Sequence, residues 1–401
     1  MVEDPDAAVD TLESSPSRTQ LDPAQLQRFA GFRWRDDEVD DVMRHFAVGD
    51  AAALLQAAVV LVDGDRILAR SELEAAASRL GSAVAGGCRW SPSVLADVMK
   101  HRGIASETAL LAQARLIDDG DRVLDAQELQ RAAVMLGRVV PANDVRGVHR
   151  RIDELASLPG VQREHLGSVD DWPLDALHLP CTSPPPALRL LVTGGVHGNE
   201  PCGPSAALLL AECVAANPTL RGRIDLTVIP LLNPRALDAA TRRTPEGLDL
   251  NRAFRDGPDA PSEVRAVAGL LDQHTYDLAL DLHSGKAKRN GFWVLHHGAR
   301  DLMEAAMRRF DERWPVLNGN TRPYRMAVPG VGESGNDDTL KNFVARRGVP
   351  ETATVEAPAS VGFLDQVLGE VDLVQHILVE ALARRPGSVV AGGSGTAADH
   401  G

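Results

Sequence analysis

Residues 188–203 read LRLLVTGGVHGNEPCG. The first half is a short apolar run stopped by two glycines, which predicts a buried strand ending in a tight turn. The second half sets His197 and Glu200 three residues apart in that turn, where an imidazole nitrogen and a carboxylate can reach one ion. Working outward, the segments DLTVIPLLN, YDLALDLH, GFWVLHH and TATVEA are also short, apolar and bounded by Gly, Pro or Asn, and helical stretches at 205–216, 262–273, 302–309 and 364–384 fall between or after them. That alternation predicts an α/β fold, a three-layer α/β/α sandwich around a mixed, mainly parallel sheet, with ligands at the carboxyl ends of its strands. The motif DLHSG offers His283 at a second such end. One H-x-x-E spacing is weak, because such pairs are common on surfaces; His, Glu and His with an open fourth position is the pattern of a catalytic zinc ion.

The rest of the chain bounds the alternatives. Its 401 residues suit one or two domains, and 44% apolar with 24% charged residues is a globular balance that excludes a collagenous, coiled-coil or fully disordered protein. With 42 Lys plus Arg against 56 Asp plus Glu, the net charge of -14 argues against a nucleic-acid partner, which needs a basic face. No stretch has the 18 or so uncharged apolar residues of a membrane span, and the acidic start MVEDPDAAVD is unlike a secretory signal. Four scattered cysteines, none in a C-x-x-C pair, predict a reducing, cytoplasmic setting.

An internal repeat fills the first third. At an offset of 56, residues 41–81 align without a gap on residues 97–137, with about 19 of 41 positions identical. Each copy reads as helix, helix, acidic loop, helix, so residues 34–140 are expected to form an all-helical tandem repeat, after a disordered or extended segment 1–33. The loops DGDRILARSEL and DGDRVLDAQEL resemble those of the EF-hand family, with Glu72 and Glu128 as closing residues and Asp63, Asp65, Asp119 and Asp121 in the middle. Leu61 and Ile117 then occupy the first ligand place, and Arg66 and Arg122 replace the turn glycine. A calcium ion would be short of oxygens, so the repeats are expected to be a scaffold without calcium, with room for a protein partner; calcium at the second loop, helped by Asp118 and Asp125, is the alternative.

The second unit, expected over 141–385 before a flexible tail 386–401, resembles the M14-type zinc carboxypeptidase family, including its aspartoacylase/succinylglutamate desuccinylase branch. The resemblance rests on HGNE, DLHSG, LNPRALDAATRRTPEGLDLNRAF, TVEA and the entry segment LGSVDDWPLDALHL, in the family's order over roughly residues 150–385. It implies one Zn²⁺ held by His197, Glu200 and His283, with zinc-bound water activated by Glu356 as general base. It further implies Asn251 and Arg252 as the grip on a substrate carboxylate and Arg235 as the oxyanion stabiliser. Asp281, two before His283, is a candidate to orient a ligand, and Tyr324, in a Pro/Gly-rich stretch, a candidate substrate contact; Tyr276 precedes a strand, and Arg242 and Arg243 read as solvated charges.

One departure from the family bears on substrate choice. Only 45 residues follow Glu356, too few for the β domain that narrows the channel in the aspartoacylase branch. The expected activity is therefore zinc-dependent hydrolysis of an amide bond in a substrate with a free carboxylate, a metallocarboxypeptidase or peptide amidase. Deacylation of an N-acyl amino acid is the alternative among enzymes, and a non-catalytic binding protein using the helical repeats is the alternative of another class.

Overall fold

The 56-residue offset of the first unit persists in three dimensions. In the computed structural model, Arg33 bridges Ile67 in parallel and Arg89 pairs Val123 in the same sense, each position displaced by 56. Described residues are 29–45, 51–59, 66–80, 83–85, 88–118, 123–285, 289–310, 314–319, 324–333 and 338–385. The chain separates into two units, Met1–Gly137 and Arg138–Gly401.

In the first unit, α1 (Asp36–His45), α2 (Ala51–Val59) and α3 (Arg70–Leu80) belong to one copy, and α4 (Pro92–Arg102), α5 (Glu107–Leu116) and α6 (Ala126–Leu136) to the other. Leu54, Leu55, Ala58, Leu68 and Leu73 are buried, and so are their counterparts Leu110, Leu111, Ala114, Leu124 and Leu129. Short strands supplement the helices: β1 (Ala83–Ala85), β2 (Cys88–Trp90) and β3 (Val123–Leu124) form a small sheet. The segment expected to be extended up to residue 33 is in part structured, since Phe29 is buried and meets Trp34 edge to face at 6.0 Å. Residues 1–28 and 386–401 lie outside the described residues, as do Asp63, Asp65, Asp119 and Asp121 of the acidic loops. The Glu128 carboxylate accepts the Asp125 N–H at 3.1 Å while Asp125 accepts from the Glu128 N–H at 2.8 Å, a reciprocal cap at the start of α6.

The second unit begins at Arg138, three residues before the boundary drawn from the sequence, because Val140 is buried and its carbonyl accepts a hydrogen bond from the Ser205 hydroxyl at 2.9 Å. After α7 (Val145–Ala156) come β4 (Gln162–Val169), β5 (Trp172–Leu179), β6 (Leu188–Gly194), α8 (Cys202–Ala216), α9 (Pro218–Arg221), β7 (Ile224–Ile229) and α10 (Pro234–Asp238). Then follow α11 (Ser262–Gln273), β8 (Leu278–Ser284), β9 (Trp293–His297), α12 (Arg300–Phe310), β10 (Arg325–Val328), β11 (Val331–Glu333), α13 (Leu340–Arg346), β12 (Glu351–Ala357) and α14 (Phe363–Ala383). The nine-stranded sheet has the order β10-β11-β9-β12-β8-β6-β7-β5-β4. Its centre, β12-β8-β6-β7, is parallel, while β9 and β5 flank that centre antiparallel. Every residue of β8 is buried, as expected for a strand covered on both faces. No helix among the described residues is long and apolar enough to cross a membrane.

Candidate metal centre

Because β6, β8 and β12 run parallel, their carboxyl ends meet at one edge of the sheet. His197 and Glu200 lie in the turn after β6, His283 is the penultimate residue of β8, and Glu356 on β12 is the register partner of His283. The turn depends on glycine. Gly195 has φ +69°, and a Cβ on Gly198 would sit 1.8 Å from the Ala236 carbonyl carbon in α10, so the loop can approach that helix only without a side chain.

The three side chains converge. Glu200 Oε1 lies 3.0 Å from His197 Nδ1, and Oε2 lies 2.7 Å from His283 Nδ1. All three are buried, and their donor atoms lie within 4.8 Å of one another. The far nitrogens are anchored: His197 Nε2 is 3.1 Å from Asp249 Oδ1, and His283 Nε2 is 2.6 Å from Asp281 Oδ2. Asp281 is itself fixed by the Thr193 hydroxyl, which donates at 2.8 Å. Arg242 Nη1, which can only donate, is 3.3 Å from His197 Nδ1, so the ring proton belongs on Nε2, facing Asp249. A lone pair is thereby left on Nδ1, the arrangement a metal-binding histidine needs. Two such nitrogens and a carboxylate fit a zinc-class divalent ion.

Charge is concentrated here. Burial works to raise the Glu200 carboxyl, yet His283 and His197 hold it well below the usual carboxylate range. Asp249 is likewise held low against its burial, by the His197 hydrogen bond and the Arg242 charge. Burial pushes His283 down, but Asp281 and Glu200 outweigh it and lift the imidazole well above its ordinary value. Glu356 behaves oppositely: burial, opposed by His283 and reinforced by Glu200, raises its carboxyl to about 7.

These groups line a cavity of about 350 Å³. Asn251 and Arg252 reach it from a 3₁₀ turn, Leu250–Arg252; the Asn251 carbonyl oxygen accepts the Leu340 N–H at 2.9 Å, which turns its amide nitrogen toward His283 Nε2 at 3.5 Å. Tyr324 also lines the cavity, its ring 5.3 Å from Trp293, with the Arg289 guanidinium 4.6 Å from the Trp293 ring. Tyr276 does not line it and is buried in the core beside Leu250 and Phe254.

Arg235 is not brought to the cavity. Its Nε lies 3.0 Å from Asp170 and its Nη2 2.7 Å from Glu246, on the protein surface. Position in α10, with its side chain turned to those two acids, overrides the motif. The guanidinium beside the ligands is that of Arg242, which reaches Glu200 at 3.0 Å and Asp249 at 3.2 Å and so is no solvated charge. Sequence reading also missed Asp249, two before Asn251 in DLNRAF, and the cavity-lining Arg289 and Lys341. The spacing of Asp249 to Asn251 was the available signal for the first; nothing in the sequence marked the other two. Lys341 is buried, with burial lowering its ammonium pKa to about 8.

Residues 186–322 match the model of the succinylglutamate desuccinylase/aspartoacylase catalytic domain. The rat protein described as N-acyl-aromatic-L-amino acid amidohydrolase (carboxylate-forming) is 36% identical over 116 residues, 25% of this chain and 35% of the relative. Human carboxypeptidase D is 25% identical over 130 residues, 28% of this chain and 9% of that protein. The chain thus spans about a third or less of the length of these relatives. A solved structure, the metallo-carboxypeptidase of Burkholderia cenocepacia, shares the fold with a TM-score of 0.50 at 14% identity, covering 60% of this chain and 69% of the other.

Proposed function

We propose that this chain, whose residues 186–322 match the succinylglutamate desuccinylase/aspartoacylase catalytic domain, is a metal-dependent hydrolase of the zinc carboxypeptidase type that cleaves amide bonds in substrates carrying a free carboxylate. The observation that carries the reading is the convergence of His197 Nδ1, Glu200 and His283 Nδ1, with a further carboxylate, Glu356, in register with His283. His197, Glu200 and His283 would hold one Zn²⁺. The chemistry supplied by zinc in such a site is polarisation of a carbonyl oxygen and acidification of water toward a pKa of about 7.

The chain's own groups perform the rest. Asp249 and Asp281 hold the two rings in the tautomer that leaves Nδ1 free. Glu356 takes a proton from the attacking water and passes it to the leaving nitrogen, a task suited to a carboxyl raised toward neutrality. Arg252 and Asn251 receive the substrate carboxylate, for which a forked guanidinium is well shaped. Arg242, rather than Arg235, donates to the oxygen that gains charge as the carbonyl is attacked. Tyr324, across the cavity, contacts the substrate.

We favour a peptide cut at its C-terminal residue, a reading supported by the likeness to human carboxypeptidase D and by Arg252 and Asn251 lining the cavity beside the proposed ligands. Hydrolysis of an N-acyl amino acid is the second reading, supported by the matched family model and the rat amidohydrolase. Four free thiols fit a cytoplasmic setting. The test is metal content together with turnover on a panel of dipeptides, peptide amides and N-acyl amino acids. One equivalent of zinc, lost in His283→Ala, and cleavage of free acids but not their amides are expected. A wild-type protein that binds no metal at these residues, or cleaves amides and acids alike, contradicts the reading.

A further inference from the structure

We infer that the second unit carries another zinc-class metal site, remote from the cavity, built by Glu164, His178 and His274 on the outer edge of the sheet. The three come from different elements: Glu164 from β4, the terminal strand, His178 from its neighbour β5, and His274 from the residue that caps α11. In the antiparallel ladder His178 faces Gln162, so Glu164 is its diagonal neighbour on the same face. The end of α11 then brings His274 over that face.

The donor geometry repeats that of the first centre. Glu164 Oε2 lies 2.6 Å from His178 Nε2 and 3.4 Å from His274 Nε2, and the three donor atoms fall within 4.8 Å of one another. At the first centre the corresponding carboxylate–imidazole distances are 3.0 and 2.7 Å. Zinc bonds of about 2.0–2.2 Å in a tetrahedron set donors roughly 3.3 Å apart, so either trio needs only a small spreading to admit an ion. His178 is also prepared as a ligand should be. Its Nδ1 lies 3.0 Å from the Thr227 hydroxyl on β7; with the proton there, Nε2 presents its lone pair to Glu164 and His274. The rings of His178 and His274 pack 4.9 Å apart, and Tyr276 flanks His274 at 6.4 Å, which limits the rotamers of both.

A graded exposure of 12% for His178, 27% for Glu164 and 40% for His274 leaves the open side to solvent, where water completes the coordination. Two imidazoles and one carboxylate select zinc and its neighbours over calcium or magnesium, which take oxygen ligands. An ion here would tie the terminal hairpin to the end of α11. Since it binds only the folded arrangement, it would raise thermal stability without touching the chemistry of the cavity.

The test uses the full chain, stripped with chelator and titrated with Zn²⁺, with content read by mass spectrometry and, in parallel, with Co²⁺ by its visible absorption. Two equivalents are expected in the wild type and one in His274→Ala and in Glu164→Gln, each with hydrolysis unchanged; His283→Ala should keep the equivalent that those two lose. A second, zinc-dependent rise in melting temperature is expected in the wild type and not in His274→Ala. Uptake by the wild type of a single equivalent that His283→Ala abolishes overturns the proposal, and so does a second equivalent that survives both His274→Ala and Glu164→Gln. Because the count is independent of turnover, failure of this site is distinguishable from failure of the hydrolase reading.

Discussion

Glu356 and His283 face each other across two parallel strands, so the group cast as the base is placed by ladder register and not by a flexible loop. Glu356→Gln removes its proton-accepting capacity at nearly constant shape. Turnover should fall by about 10²–10⁴-fold with metal content intact. The wild-type kcat/KM should rise with pH over an acid limb lying below about 7, because burial, opposed by His283 and reinforced by Glu200, lifts Glu356 to about 7 and a bound cation pulls it down; the residual activity of the Gln variant should lack that limb. The arginines give a second comparison at this scale. Arg242→Ala should cost about 10²–10³-fold in kcat, as loss of one oxyanion donor does. Arg235→Ala breaks only surface ion pairs and should leave kinetics unchanged and stability within about 1 kcal/mol. Steady-state kinetics of the two variants reads this directly. Among neighbouring arginines in one stretch the resemblance singled out Arg235, and packing instead turned Arg242 to Glu200 and Asp249.

Element by element, helix and strand types follow from patterns that survive burial, while the contents of their inner faces do not. α14 was readable as a long apolar helix, yet it carries Glu370 and Asp372 fully buried. Asp372 is explained by Trp314, whose indole N–H donates to it at 2.9 Å. Glu370 is held well above the ordinary carboxyl range chiefly by burial, so over a range of pH above its unfolded value it keeps a proton in the native protein that it gives up on unfolding. The folded state therefore binds the extra proton, and its contribution to stability is present below the unfolded pKa and declines as pH rises above it. Glu370→Gln should flatten that decline. The difference in melting temperature between pH 5 and pH 8 should shrink by about 3 °C or more, the equivalent of roughly 1 kcal/mol in a unit of this size; an unchanged difference would remove Glu370 from the account. In the repeats, the aligned helices were legible, but the start of each copy was not. Arg33 and Arg89 share the 56-residue offset and the same parallel pairing, so the copies reach back beyond Asp41 and Asp97. Two residues of local identity are too short a signal without the strands they pair with.

At the scale of the whole molecule, the residues proposed as ligands, base and carboxylate grip all lie in the unit Arg138–Gly401. A fragment starting at residue 138 should fold, bind zinc and retain the turnover of the full chain within about twofold; loss of the metal equivalent on truncation would mean that the repeats build part of the centre. The sequence by itself determined the α/β alternation, the 56-residue repeat and the candidates His197, Glu200 and His283, because strand periodicity, glycine turns and short ligand spacings are local properties written within a few residues; Glu356 became a candidate only through the resemblance of TVEA to a known family's strand. The tertiary structure alone decided that Arg242 and not Arg235 reaches the ligands, that Asp249 anchors His197, and that Glu164, His178 and His274 meet at the sheet's edge. Those contacts join residues 14 to 110 positions apart, and which side chains then face one another is fixed by strand order and packing, which no local pattern encodes.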